Sequence, residues 1–98
     1  MIILENQNLS EIISSGISIL YFSAPWCGPC KQLQPVMDSV SSDGVNVVKI
    51  NVDDNSDQAE NYNIRSVPTI IFTKNGEEVS RKVGAVQKNA ISEIIASI

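Results

Sequence analysis

Two cysteines, Cys27 and Cys30, stand in Trp26-Cys27-Gly28-Pro29-Cys30, and the chain has no others. A pair at that spacing can cycle between dithiol and disulfide. One thiolate attacks a substrate disulfide, and the second then attacks the first. An apolar, β-branched run from Ile17 to Ser23 leads in, and a helix-like run from Lys31 to Ser41 leads out. Cys-x-x-Cys at a strand-to-helix junction of an α/β pattern reads as a redox motif. The junction supplies the chemistry. Unpaired N–H groups and the positive end of the helix dipole favour an anion at the first turn. That lowers the pKa of Cys27 and raises its thiolate fraction. Cys30 falls one turn deeper on the same face, where it can attack the Cys27 sulfur. Gly28 lets backbone and substrate approach closely. Pro29, with no N–H and a preset φ, suits the first helical turn.

The pair has two blander readings. A structural cross-link closing so short a loop removes little chain entropy, so stabilisation is a poor reason for it. Half a zinc site needs further ligands, and the sequence has no histidine. The lack of histidine also excludes His-based general acid–base catalysis. Net charge is −4, with only seven Lys and Arg, scattered along the chain. That is no footprint for nucleic acid or for a membrane surface, and no apolar run is long enough to span a bilayer. Met1-Ile2-Ile3-Leu4-Glu5 lacks the basic region of a secretory signal, so the expected location is the cytoplasm, where thiols are held reduced. Asp53-Asp54-Asn55-Ser56-Asp57 invites a calcium reading. Gln58 and Ile64 stand where the loop needs glycine and glutamate, so the stretch reads as a solvated loop. Asn8-Leu9-Ser10 fits a glycosylation sequon that, without a signal, reads as chance.

The elements that must position the cysteines follow from periodicity. With 98 residues, the chain is expected to form one domain, residues 1–98. Ile2 to Leu4 reads as a short edge strand. Ser10 to Ser15 reads as a short helix capped by Asn8 or Ser10, stopped at Gly16. Ile17 to Phe22 suits a buried central strand. The helix after the cysteines repeats apolar residues at Cys30, Leu33, Val36, Met37 and Val40, with a kink expected at Pro35. Val45 to Val52 is a third strand, and a short helix is placed near Gln58 to Tyr62. Thr69 to Thr73 and Glu78 to Val83 pair across Asn75-Gly76, a strong hairpin signal. Gln87 to Ile98 is an amphipathic helix. The order β-α-β-α-β-α-β-β-α predicts an α/β fold: one mixed sheet of five strands, four of them its core, with four helices on its two faces.

These motifs together resemble the thioredoxin family along nearly the whole chain. Trp26-Cys27-Gly28-Pro29-Cys30-Lys31 is similar to its active-site motif, and Val67-Pro68-Thr69 to its cis-proline segment. Lys74-Asn75-Gly76 is similar to its hairpin, and Val83-Gly84-Ala85 to the glycine loop before its last helix. The resemblance implies a thioredoxin fold and a protein-disulfide reductase. Cys27 would be the attacking and Cys30 the resolving cysteine. Trp26, Gly28, Pro29, Val67, Pro68, Gly84 and Ala85 would form the substrate groove, with Val67 offering its backbone to an extended client. No bound cofactor is implied. Electrons would come from a flavin- and NADPH-dependent thioredoxin reductase, and the protein would act as a monomer on disulfide-containing clients. The Gly-Pro between the cysteines resembles the reducing members. The sequence departs from the family at Tyr21, where a buried aspartate is usual, while Lys49 matches that aspartate's lysine partner. Tyr21 and Lys49 are therefore candidate modulators of the resolving step, against the simpler readings of a core aromatic and a lysine snorkelling from a strand end. Two rival functions remain: a binding or accessory module that uses the groove without turnover, and a disulfide oxidase or isomerase.

Overall fold

The computed structural model describes all residues, 1–98. The strands are β1 (Ile2–Ile3), β2 (Ile17–Ser23), β3 (Asn46–Asn51), β4 (Thr69–Lys74) and β5 (Glu77–Val83). The helices are α1 (Leu9–Ile12), α2 (Gly28–Ser42), α3 (Ser56–Asn61) and α4 (Lys88–Ser97). The strands form one sheet in the order β1-β3-β2-β4-β5. β1, β3 and β2 run parallel, as βαβ connections require. β4 is antiparallel to β2, and β5 to β4.

β2 lies at the centre because its β-branched and aromatic side chains can be buried on both faces. Six of its seven residues are buried. Alternation then divides the core. Ile19 and Tyr21 join Val47, Ile70 and Phe72 under Leu33, Met37 and Val40 of α2 and Ile91 of α4. Leu20 and Phe22 join Val48, Ile50 and Ile71 on the opposite face, covered by Leu9 and Ile13 around α1 and by Leu4. The Phe22 and Tyr62 rings meet there at 5.7 Å between centroids. Lys88 fastens α4 to α2: its Nζ lies 2.7 Å from Ser39 Oγ and 2.8 Å from Asp43 Oδ2.

Local chemistry sets the turns, and in places it moves an element from its sequence-based bounds. Asn75 and Gly76 both have positive φ, +52° and +86°, as a two-residue hairpin matching strand twist requires. α1 is one turn shorter at its end than the sequence suggests. Asn8 caps it, its Oδ1 accepting from Glu11 N–H at 3.3 Å. Ser14 and Ser15, which compete for backbone bonds in a helix, fall outside it. α3 begins at Ser56 rather than Gln58. It ends in a left-handed Asn63, φ +55°, with Asn63 N–H on Glu60 C=O and Ile64 N–H on Ala59 C=O. This paired closure of the last turn redirects the chain toward Val67. α2 runs without interruption through Pro35.

Candidate active site

The cysteines sit where β2 hands over to α2. Cys27 N–H donates to Ala24 C=O at 3.2 Å, closing a turn with Pro25 at the position that favours proline. That turn leaves Trp26 69% exposed. Cys27 is the N-cap of α2, with extended backbone, and its sulfur accepts the Cys30 N–H at 3.1 Å. A sulfur at this site receives one of the helix's unpaired N–H groups and faces its positive end, so a thiolate is favoured there. Cys27 and Cys30 are joined as a disulfide, with Cα atoms 5.2 Å apart. Both are buried, packed with Ala24, Val52 and Val67. Gly28 and Pro29 are exposed, and a Cβ built on Gly28 would meet nothing within 4 Å.

Loops bring Val67, Pro68, Gly84 and Ala85 to the same end of the sheet. The Val67–Pro68 peptide is cis. Pro68 is buried and Val67 half-buried. Val67 N–H and C=O enter no hydrogen bond within the chain. The β4–β5 register opposes Thr69 and Val83, which sets Gly84 beside Pro68. Gly84 N–H donates to Pro68 C=O at 2.8 Å with φ +92°, a backbone conformation that favours glycine. Ala85 follows, exposed. A hollow of about 130 Å³ next to Trp26 is lined by Val52, Ala59, Ile64, Arg65, Ser66 and Val67.

Behind the disulfide the surroundings differ. Tyr21 is buried, and its hydroxyl donates to the Cys30 carbonyl at 2.8 Å. Its register partner on β3 is Lys49, whose Nζ lies 5.9 Å from the Tyr21 ring centroid. Burial, and after it the Asp38 carboxylate, push the phenol above its ordinary pKa of 10.0, so it stays protonated at neutral pH. Tyr21 is thus a core aromatic, and it also holds the backbone of Cys30. A cavity of about 370 Å³ opens here, with Tyr21, Cys30 and Lys49 in its wall.

One contact at the site escapes the sequence reading. The Trp26 indole N–H donates to Asp53 Oδ2 at 3.0 Å, so Asp53 holds the tryptophan at the rim. The solvated-loop reading of residues 53–57 also fails at Asn55. This side chain is buried, with Nδ2 on the Leu4 and Asn51 carbonyls at 3.4 and 3.1 Å. The usable signal was parallel pairing: with Ser23 opposite Asn51, the residues just beyond each strand are neighbours.

Comparison with known proteins agrees with this geometry. The thioredoxin family profile matches residues 1–97. The chain is 39% identical over 95 residues to a thioredoxin of Chlamydia pneumoniae, covering 95% of this chain and 93% of that protein. It is 44% identical over 89 residues to thioredoxin 1 of Synechococcus elongatus, covering 87% and 83%. Among solved structures, a point mutant of thioredoxin from Halobacterium salinarum superposes with a TM-score of 0.92 at 33% identity, covering 98% of this chain and 88% of that one.

Proposed function

Since the chain belongs to the thioredoxin family and is a protein-disulfide reductase with a Cys-x-x-Cys redox pair, we propose that Cys27 attacks the client and Cys30 resolves the product. One observation carries the assignment: the Cys30 N–H is aimed at the Cys27 sulfur, 3.1 Å away, so the helix terminus stabilises negative charge on Cys27. In the reduced protein the Cys27 thiolate attacks one sulfur of a client disulfide. The client S–S bond breaks, and its electron pair leaves on the other client sulfur. Cys30 then attacks Cys27. The Cys27–client bond breaks, the second client thiolate departs, and the Cys27–Cys30 disulfide forms. The client gains two electrons and the protein loses two.

The groove supplies placement. An extended client segment crosses the disulfide against Trp26, Gly28, Pro29, Pro68, Gly84 and Ala85, and adds a short strand to the free Val67 N–H and C=O. Holding the client sulfur in line with Cys27 converts collision into a near-unimolecular attack. The pair is returned to the dithiol by a flavin- and NADPH-dependent thioredoxin reductase that meets the same groove. The rest of the reading is a monomer of one domain, residues 1–98, working in the cytoplasm. No helix of the chain is long and apolar enough to cross a membrane.

Trapping tests the roles. Cys30→Ser should accumulate a mixed disulfide with an oxidised client, seen as a reductant-sensitive band, whereas Cys27→Ser should form none. The reverse pattern overturns the assignment. Equilibration against a glutathione buffer, read by Trp26 fluorescence, should place the pair near the family's reference potential of about −270 mV. A far higher value points to an oxidase or isomerase. If a Cys27→Ser, Cys30→Ser double variant restores the biological function, the groove serves binding alone.

A further inference from the structure

Cys30, the proposed resolving cysteine, lines a cavity with Tyr21 and Ser23 from β2, Ala24 and Pro25 after it, Lys31 and Gln34 from α2, and Lys49 and Asn51 from β3. No carboxylate and no imidazole is among them. Pro25 and Lys31 are exposed, so water reaches the cavity. The ionisable groups facing it are Lys49 from β3, Lys31 from α2 and the phenol of Tyr21 from β2. Two acids flank the cavity without lining it, and Asp38 is close enough to act on the Tyr21 phenol. Asp38, one turn along α2 from Gln34, accepts from Gln34 Nε2 at 2.9 Å and is exposed. Asp53 beyond β3 holds the Trp26 indole. The Tyr21 hydroxyl points its proton at the Cys30 carbonyl, at the third residue of α2, whose N–H in turn meets the Cys27 sulfur.

We propose that Tyr21 is a positioning residue for the resolving step, and that the Cys30 proton passes directly to water in this cavity beside Lys49, with no carboxylate acting as base. The inference rests on the assignment of Cys30 as the resolving cysteine. The Cys30 thiol gives its proton to cavity water or hydroxide. The resulting thiolate forms the bond to Cys27 as the Cys27–client bond breaks, and the departing client thiolate is protonated by solvent. Tyr21 takes no proton. Its hydrogen bond fixes the Cys30 backbone against β2 and so sets the line of attack on Cys27, where small displacements have large kinetic effects. Lys49 and Lys31 place positive charge in the cavity where the thiolate forms, which favours the ionised thiol.

The two steps separate in stopped-flow with excess dithiobis(nitrobenzoate). The first chromophore is released by second-order attack of the first thiol, the next by first-order attack of the second. In the unsubstituted protein the first-order phase should follow the thiolate fraction of Cys30 alone, with a single inflection in its pH profile. Tyr21→Phe, which removes only the hydroxyl, should lower the limiting first-order rate by about fivefold or more, with the inflection and the second-order phase unmoved. Lys49→Met should shift the inflection upward and leave the limiting rate. Asp38→Asn should change neither. A pH-independent shoulder below the inflection that Asp38→Asn abolishes would show a carboxylate base and overturn the proton route. Equal slowing of both phases by Tyr21→Phe, or of neither, overturns the positioning role. Cys27→Ser distinguishes the underlying reading: if that variant retains the second-order phase at its original rate, Cys30 attacks first and the assignment of roles is what fails.

Discussion

On the exposed side of the Cys27–Cys30 pair the site is made of loop ends. Trp26, Val67, Pro68, Gly84 and Ala85 come from three separate connections, with Gly28 opening α2 beside them, and they are tied by single hydrogen bonds such as Trp26 to Asp53 and Gly84 to Pro68. On the other side it is made of strand. Tyr21 and Lys49 are register partners in the middle of the sheet, and Tyr21 is packed in the same core as Phe72 and Met37. The difference follows from what each side must do. The proposed client groove needs free backbone and exposed apolar surface, which loops can present. Cys30, in the resolving role proposed for it, needs one fixed distance, which a strand gives. Mutations on the two sides should therefore report different quantities: affinity for clients in front, stability and the second chemical step behind.

The largest expected effect breaks the comparison from behind. Tyr21→Ala removes a buried ring, and denaturant unfolding should show a loss of about 3–5 kcal/mol. Trp26→Ala on the front should change unfolding free energy by less than about 0.5 kcal/mol, while KM for a protein client rises about tenfold. Equal stability costs for the two aromatics would erase the distinction. Next comes Gly84→Ala. The added methyl has space, but φ +92° is strained for any L side chain, so unfolding should cost about 1–3 kcal/mol and client KM should rise with it. Asp53→Asn should be milder still. It keeps an acceptor for the indole but removes its charge, and should appear as a shift in Trp26 emission with little change in turnover.

The smallest effect lies in a brace of the front. Arg81 Nη2 donates to the Tyr62 carbonyl at 2.8 Å while Glu78 grips the same guanidinium. This holds β5 to the end of α3, from which the chain runs on to Val67. The hydrogen bond from Arg81 keeps the Glu78 carboxyl below its ordinary 4.5. Its contribution is therefore complete above that value and is lost as pH falls through the lowered one. In an acid titration of the thermal midpoint, Glu78→Gln should remove a small part of the decline below that pH and leave the neutral value nearly unchanged, since the pair is partly exposed.

The same division explains what could be read from residues alone. Cys27 and Cys30, the hairpin at Asn75-Gly76 and the central strand Ile17–Ser23 were legible because their signals are local: a spacing, a turn dipeptide, a run of β-branched residues. The Trp26–Asp53 bond and the Tyr21 hold on Cys30 were not, since each joins residues that only the tertiary pairing of β2 with its neighbours brings together. Composition misleads at α1, where Ser14 and Ser15 read as helix but lie outside it. It misleads again at Asn55, where a polar side chain in an acidic stretch is buried against the Leu4 and Asn51 carbonyls. Ordinary polar residues carry no mark of burial.

β2 is bonded along both edges, to β3 and to β4, over almost its full length, and it ends four residues before Cys27. Its amides can exchange with deuterium only when most of the sheet comes apart, whereas β1 needs only local fraying. Exchange at Leu20 or Phe22 therefore reads the global unfolding free energy of the protein in either redox state. The difference between oxidised and reduced samples gives, through the thermodynamic cycle, how much more readily the disulfide forms in the folded chain than in the unfolded one. The strand that leads into the cysteines is also the gauge by which their driving force can be weighed.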